Sequence, residues 1–142
     1  MIRAVVDTNA LASGFTSRAG PSGRILHYWR RGSFDLSVSR HILTELERAL
    51  AKPYFAARLT PGQRRSALEL LVQEVVLTHL PGTPEEHAAR PPDSLVLETA
   101  VRAGAGYLVT GDKELQELGT FQGVLILSPL QFLDLLERGE GN

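Results

Sequence analysis

Short apolar runs rich in β-branched residues alternate along the chain with apolar residues at helical spacing, and this alternation limits what the sequence can fold into. Consecutive or alternating apolar residues predict strands, whereas spacings of three and four predict helices. The predicted strands cover residues 2–6, 34–38, 75–80, 107–109 and 124–127. The predicted helices cover residues 21–31, 42–50 and 95–101, and three more begin near 60, 112 and 128, the first and last at capping-box patterns.

This order of elements predicts an α/β fold: a three-layer α/β/α domain with a mostly parallel five-stranded sheet. Parallel neighbours need a crossover connection, usually a helix, which packs on one face of the sheet. A chain of 142 residues suits one domain, and we expect residues 1–142 to form it. The prolines from Pro81 to Pro92 predict an irregular loop inside that domain rather than a domain boundary.

Charge and composition exclude several classes of function. The chain has 15 Lys and Arg against 16 Asp and Glu, so it lacks the positive excess of proteins that coat nucleic acid non-specifically. It has no Cys, which excludes disulfides, thiol nucleophiles and Cys-ligated metals. No apolar stretch approaches the roughly 20 residues that cross a bilayer, so we expect a cytoplasmic protein without membrane contact. The remaining chemistry uses oxygen or imidazole groups.

Four acidic residues stand at positions that suit a functional site. Asp7 follows the first strand, Glu45 lies in the helix over 42–50, Asp93 follows the proline-rich stretch and Asp112 follows the fourth strand. Ligands of open parallel sheets bind at the carboxyl ends of strands, where the strand order reverses. If the first and fourth strands are neighbours, Asp7 and Asp112 meet there. Converging carboxylates repel one another, so such a cluster favours a divalent cation, and Mg²⁺ or Mn²⁺ suits oxygen ligands.

Each of these acids also has a purely structural interpretation. Asp93 and Asp112 precede helical segments, where a carboxylate caps free amides and complements the helix dipole. Glu45 can be a solvated helix position like its neighbour Glu47. Asp7 is the strongest candidate for a functional acid. An acid after a buried strand has few structural roles besides forming a turn, and Asn9 could form that turn equally well.

Several segments together resemble the motifs of the PIN-domain family, most closely its VapC-like branch of toxin–antitoxin ribonucleases. The resemblance rests on Val5-Val6-Asp7-Thr8-Asn9, on Ser39 to Leu46, on Asp93 and on Tyr107 to Leu115, and it spans nearly the whole chain. It implies a PIN-like fold and a metal-dependent endoribonuclease that cuts single-stranded RNA. It further implies a small antitoxin protein as partner and a homodimer.

The resemblance also assigns roles to individual residues. Asp7, Glu45, Asp93 and Asp112 match the family's catalytic acids, and Asn9 and Thr110 match its neighbouring polar positions. Asp7, Asp93 and Asp112 would be ligands of Mg²⁺ or Mn²⁺, and Glu45 would hold a water or take its proton. Ser94 and Ser39 are candidate substrate contacts, Ser94 because a helix start binds phosphate. The number of metal ions stays open.

One part of the sequence departs from the family pattern. Asp93 stands alone between Pro92 and Ser94, and Arg90 occupies a position where the family usually has Asp. This departure weakens a second metal site more than the first. An alternative is therefore a PIN-like module that binds RNA or a protein partner with weakened catalysis.

A second enzymatic alternative is an aspartyl-phosphate phosphohydrolase with Asp7 as nucleophile. Such enzymes need a second acid two residues later as proton donor, and this chain has Asn9 there, which argues against that chemistry.

Other residues allow both a structural and a functional interpretation. No two His residues share one predicted element at ligand spacing, so we do not expect a metal site from the set His27, His41, His79 and His87. Tyr28 and Trp29 suit packing or a dimer interface better than base stacking. Basic residues concentrated in the middle third suit RNA guidance, an acidic partner or a solvated surface: Arg40, Arg48, Lys52, Arg58, Arg64 and Arg65.

Overall fold

A computed structural model describes residues 1–141 of the chain, with side chains for residues 1–139. The strands are β1 (Arg3–Val6), β2 (Asp35–Ser39), β3 (Val76–Thr78), β4 (Tyr107–Val109), β5 (Thr120–Phe121) and β6 (Val124–Leu127). The helices are α1 (Thr8–Thr16), α2 (Pro21–Arg30), α3 (Arg40–Leu50), α4 (Pro53–Ala56), α5 (Pro61–Glu74), α6 (Pro84–Ala88), α7 (Pro92–Arg102), α8 (Lys113–Leu118) and α9 (Pro129–Gly141).

The strands form one sheet in the order β3-β2-β1-β4-β6-β5. All pairings are parallel except the short antiparallel pair of β5 with β6, which confirms the predicted mostly parallel α/β fold. The chain moves from β1 outward to β3 and then returns to β4 on the other side of β1. The strand order therefore reverses between β1 and β4, as expected for neighbouring first and fourth predicted strands.

Helices flank the sheet because every parallel connection is a crossover. Right-handed crossovers running in opposite directions across the sheet place their helices on opposite faces. The central strands consequently have no exposed side, and Val5, Val38 and Leu108 are fully buried. Burial on both faces explains why β1 and β4 read as continuous apolar runs, whereas β2 alternates between apolar residues and the buried Ser37 and Ser39.

Two of the elements that the sequence did not predict, α1 and β5, depend on contacts with neighbouring elements. The segment TNALASGFT of α1 has few strong helix formers, but Asp7 caps it and it packs against α2 and α3. Strand β5 is a two-residue partner of β6, joined to it by Gln122 and Gly123, both at positive φ. That turn makes the sheet six-stranded instead of five-stranded, and Gln-Gly is a weaker hairpin signal than Asn-Gly.

The proline-rich stretch is not entirely the predicted loop. Thr83 and Glu86 form a reciprocal capping box, and Pro84 occupies the first turn, so residues Pro84–Ala88 form the short helix α6. The other short helix that the prediction lacks, α4, likewise begins at a proline. The two predicted capping boxes, at Thr60 and at Ser128, are both present.

Within the described residues, no helix combines the length and the apolar character that a membrane span requires.

Candidate active site

The candidate site lies at the carboxyl edge of the sheet, between β1 and β4. These strands pair in register with Val6 opposite Val109, and the amide of Asp7 donates to the carbonyl oxygen of Val109 at 3.0 Å. The backbone pairing therefore carries Asp7 directly beside Thr110. This arrangement confirms that the ends of the first and fourth predicted strands meet where the strand order reverses.

Both oxygens of the Asp7 carboxylate accept hydrogen bonds. Oδ1 accepts from the backbone amide of Ala10 at 3.0 Å and so caps α1, and Oδ2 accepts from the hydroxyl of Thr110. Burial raises the pKa of Asp7 above its ordinary value, and the charges of Asp112 and Asp93 add to that rise. The two hydrogen bonds oppose the rise without cancelling it. Asp7 is thus a partly buried acid whose pKa is raised by two other acids nearby.

Thr110 joins two of these acids. Its side chain is fully buried, and its hydroxyl donates to Asp7 while accepting from the backbone amide of Asp112 at 3.0 Å. Because a hydroxyl carries one proton, this pair of bonds leaves the Asp7 oxygen as the acceptor. Asn9, the other predicted polar neighbour, lies exposed in the first turn of α1.

Asp93 and Asp112 approach the same edge from two helix starts. Asp112 caps α8, and its Oδ1 accepts from the amides of Glu114 and Leu115 at 2.8 and 3.2 Å. Asp93 lies in the first turn of α7. Burial raises the pKa of Asp93, and the charge of Asp112 raises it further. We call Asp7, Asp93 and Asp112 the acidic edge.

Carboxylates of the acidic edge cap helices and also repel one another. The structural interpretation holds for Asp112 and applies to Asp7 as well, since each caps a helix. In the part of the chain that the structure describes, no three His, Cys, Asp or Glu side chains are grouped closely enough to hold a metal ion. The acids are therefore near one another without forming a preassembled metal cage.

Glu45 and the two candidate substrate serines have other surroundings. Glu45 accepts from Arg48 at 2.8 Å and lines a separate cavity between α3 and the segment from β3 to α6. Ser39 caps α3 through the amide of Ile42 and is only 1% exposed, so we do not propose that it contacts substrate. Ser94 is half-buried and donates to the carbonyl oxygen of Pro91 at 2.8 Å. Arg90 pairs with Glu98 at 2.9 Å.

The separate cavity brings together side chains whose grouping was not predicted from the sequence. Its charged and imidazole-bearing lining residues, which we call the cationic cavity, are Arg40, His41, Glu45, Arg48, His79 and His87. Three of the four His residues of the chain therefore share one cavity. They come from three different segments, so a search for pairs on one element could not find them.

Two other predictions depend on positions in the fold. Trp29 is only 6% exposed in α2, which packs against α1 and α9, so packing is confirmed and base stacking by Trp29 is wrong. Of the six basic residues in the middle third, Arg40 and Arg48 line the cationic cavity. Arg58 instead stacks over the ring of Tyr54 at 3.6 Å.

Comparison with known structures supports the fold. VapBC2 from Rickettsia felis, solved with a DNA fragment from its promoter, matches with a TM-score of 0.60 and 14% identity over 89% of this chain and 98% of that chain. PAE2754 from Pyrobaculum aerophilum matches with a TM-score of 0.63 and 19% identity over 96% and 90%. A domain of a functionally unknown protein from Methanocaldococcus jannaschii matches with a TM-score of 0.55 and 18% identity over 89% of both chains. No curated protein sequence matches this chain.

A match to a family model assigns the chain to a family from its sequence. The PIN domain model matches residues 3–114, which include β1, α3, the start of α7 and β4 with the residues that follow it. The matched range contains Asp7, Glu45, Asp93 and Asp112. Members of this family are generally nucleases. The chain belongs to the PIN domain family.

Proposed function

We propose that this protein is a metal-dependent endoribonuclease that cuts single-stranded RNA at the acidic edge. The observation that carries the proposal is the position of Asp7. It is a partly buried acid with a raised pKa, and two further acids lie close enough to raise that pKa. If Asp7 served only as a helix cap, its repulsion by Asp93 and Asp112 would bring the fold no benefit. A divalent cation bound there would offset it.

The residues of the acidic edge fit Mg²⁺ or Mn²⁺ by the chemistry of their donors. All are carboxylates, the ligands that such hard cations prefer. The cap bonds of Asp112 use Oδ1, which leaves Oδ2 to face a ligand. Asp7, Asp112 and Asp93 would hold the ion. Bound there, it would activate a water molecule and neutralise charge on the scissile phosphate.

The remaining residues act through position and proton transfer. Thr110 holds Asp7 and the backbone of Asp112 in one arrangement through its two hydrogen bonds. Glu45 lines the neighbouring cavity at the same edge of the sheet, and from there it would hold the attacking water or take its proton. Ser94 and the first turn of α7 contact a phosphate oxygen, because amides at a helix start favour anions. Asn9 contributes a polar group at the rim.

We further propose that the nuclease is the toxin of a toxin–antitoxin pair. The support is the resemblance of its motifs to VapC-like ribonucleases and the similarity of its fold to VapBC2 from Rickettsia felis. The expected partners are a small antitoxin protein and a second copy of this chain. The expected place of action is the cytoplasm.

Calorimetric titration of Mn²⁺ and Mg²⁺ into metal-free protein tests the metal site first. We expect saturable binding to wild type, its loss in Asp7→Asn, and unchanged binding in Glu47→Gln. The control removes one carboxylate from an exposed position of α3. Asn caps a helix as well as Asp does, so the Asp7 variant should keep its fold. Equal binding by Asp7→Asn and wild type would refute the assignment of Asp7.

A second candidate function is a binding module that has lost catalysis. One observation favours it: the acids of the described residues are not grouped into a preassembled metal cage. This alternative predicts no Mn²⁺ binding at millimolar concentration, with or without RNA, and no cleavage of single-stranded RNA. RNA-dependent Mn²⁺ binding would instead show that the substrate completes the site.

A further inference from the structure

The cationic cavity has the size and lining of a ligand site. Its volume is about 400 Å³, within the range of roughly 300–1,000 Å³ that small-molecule sites occupy. Two guanidinium groups, one carboxylate and three imidazoles share it with an apolar wall that includes Leu77, Leu80 and Pro84. Leu77 is 55% exposed although it is a large apolar residue, so the wall offers uncovered apolar surface to a ligand.

The charges in the cavity favour an anionic ligand. Glu45 pairs with Arg48, so these two charges offset each other. Arg40 forms no ion pair within the described residues and is exposed at the cavity wall. One positive charge therefore remains available, and a guanidinium presents several donors that match phosphate geometry.

The imidazoles add hydrogen-bonding groups to the cavity. Burial lowers the pKa of His41, and the neighbouring His87 and Arg48 lower it further, whereas Glu45 opposes the change. The lowered pKa favours the neutral form of the His41 ring. His87 contacts the carbonyl oxygen of Pro81 through Nε2 at 2.9 Å. A carbonyl only accepts, so Nε2 of His87 carries a proton, and Nδ1 is the ring nitrogen left for a ligand.

A nucleotide combines a phosphate with a planar base that has both polar edges and apolar faces. We propose that the cationic cavity binds one nucleotide of the RNA, with its phosphate at Arg40 and its base between the apolar wall and the imidazoles. This inference deepens the proposed function and rests on it for the identity of the ligand. It names a contact that would help to select where the RNA is cut.

The position of the cavity supports this assignment. Thr78 and His79 lie at the carboxyl end of β3, and α3 begins at the carboxyl end of β2, so the cavity opens at the same edge as Asp7 at the end of β1. From β1 to β3 is two strand spacings, roughly 10 Å. At a stacked repeat of about 3.4 Å, that distance corresponds to no more than about three nucleotides. One strand of RNA can therefore reach both places.

Crosslinking and binding of single-stranded RNA test the proposal. The protein is the Asp7→Asn variant in chelator, which prevents cleavage, and the probe is a short single-stranded RNA of random sequence. We expect ultraviolet crosslinks in peptides that carry His79 or His87. We also expect that adding Arg40→Gln weakens RNA binding roughly tenfold, as the loss of a charge-assisted contact does, and that His79→Ala weakens it by a smaller factor.

Arg65→Gln in the same background is the matched control. Arg65 is an exposed residue of α5 outside the cavity, and the change removes the same charge. We expect less than about a twofold effect from it. Equal weakening by Arg40→Gln and Arg65→Gln, or crosslinks that avoid the cavity, would overturn the proposal. In that case a segment of a protein partner would be the better candidate occupant.

Competition separates the two possible sources of the nucleotide. Adenosine, guanosine, cytidine and uridine monophosphates are added to the RNA complex. If none displaces RNA below millimolar concentration while the crosslinks persist, the cavity is a subsite for RNA. If one of them binds alone at micromolar concentration and gives the same crosslinks, the ligand is a free nucleotide and the RNA assignment fails.

The failure of this inference can be told apart from failure of the proposed function. Metal binding by calorimetry reports on the acidic edge, and Arg40→Gln should leave it unchanged. Crosslinks in the cavity without any metal binding would keep the nucleotide site and reject the nuclease. Metal-dependent cleavage that Arg40→Gln and His79→Ala leave unchanged would keep the nuclease and reject the nucleotide site.

Discussion

The carboxyl edge of the sheet carries two chemically opposite regions. The acidic edge at the ends of β1 and β4 brings together three carboxylates, two of which cap helices. The cationic cavity beyond β2 and β3 brings together two guanidinium groups and three imidazoles. In the first region the carboxylates repel one another, which a bound cation would relieve, and in the second region Arg40 has no ion-pair partner among the described residues and would attract an anion.

The two regions also differ in how firmly the fold holds them. Asp7 and Thr110 are tied to each other and to the backbone of neighbouring strands. The cavity is formed by α3 and by the segment around α6, where Thr83, Pro84 and Glu86 are exposed. This difference fits the proposed roles, because reactive groups need a rigid frame, whereas a substrate contact tolerates an adaptable one.

The largest expected effect separates chemistry from binding. Asp7→Asn should lower the rate of RNA cleavage by on the order of 10²–10³-fold, because a group that stabilises charge in the transition state is lost. Arg40→Gln should lower cleavage about tenfold at limiting RNA and much less at saturating RNA, because a binding contact is lost. Cleavage of a random single-stranded RNA pool with Mn²⁺ measures both. If both variants lost the same fraction of the cleavage rate at saturating RNA, the acidic edge and the cationic cavity would not differ as chemistry and binding.

Thr110→Val should cost about 2–3 kcal/mol of unfolding free energy. The change leaves Asp7 Oδ2 without its donor and the amide of Asp112 without its acceptor, both in a partly buried place. Thr99→Val is the matched control, because Thr99 is equally buried but donates only to the carbonyl oxygen of Leu95 in its own helix. Urea denaturation should show a loss below about 1 kcal/mol for the control. Similar losses would mean that Thr110 has no special coupling to the acids.

Gly82→Ala should destabilise the cavity region by about 1–2 kcal/mol. Gly82 has a φ of +109°, and an added Cβ would lie 2.7 Å from Glu86 Oε2 and 3.2 Å from His87 Nε2. Gly32→Ala is the control, because Gly32 has a φ of +80° and open space around it. Hydrogen exchange should rise around α6 for Gly82→Ala while Mn²⁺ binding stays unchanged. A loss of Mn²⁺ binding would show that the two regions are one unit.

The smallest effect concerns stability without metal. The raised pKa of Asp7 means that the folded chain holds this proton more tightly than the unfolded chain does. Protonated Asp7 therefore makes its full contribution to the free energy of unfolding below the ordinary pKa of 3.8. That contribution is lost as the pH rises through the pKa of the folded state. In chelator near pH 8, Asp7→Asn should therefore be slightly more stable than wild type, by less than about 1 kcal/mol. Asn has a single acceptor oxygen, so the loss of the hydrogen bond from Thr110 offsets part of the gain.

Thermal unfolding over a pH series checks this prediction. The advantage of Asp7→Asn should shrink as pH falls, and Glu47→Gln should show no such trend. If Asp7→Asn is less stable than wild type in chelator at every pH, the acids near Asp7 do not destabilise the folded chain by repulsion.

The sequence supported the prediction of most of the sheet and part of the site. Strands such as β1 and β4 are short apolar runs whose burial on both faces leaves a local signature. Capping boxes at Thr60 and Ser128 are local as well, since the partners lie three residues apart. Helix α1 was out of reach because its sequence is a weak helix former that depends on Asp7 and on packing against α2 and α3.

By itself, the sequence determined most of the strands, the longer helices after α1 and which acids follow them, because periodicity and capping act between near neighbours. The tertiary structure alone decided which distant groups meet. The hydroxyl of Thr110 reaches a carboxylate 103 residues away, and His41, His79 and His87 share one cavity although they lie on separate segments. Both juxtapositions depend on strand order, which is set by packing of the whole sheet and leaves no periodic trace in the chain.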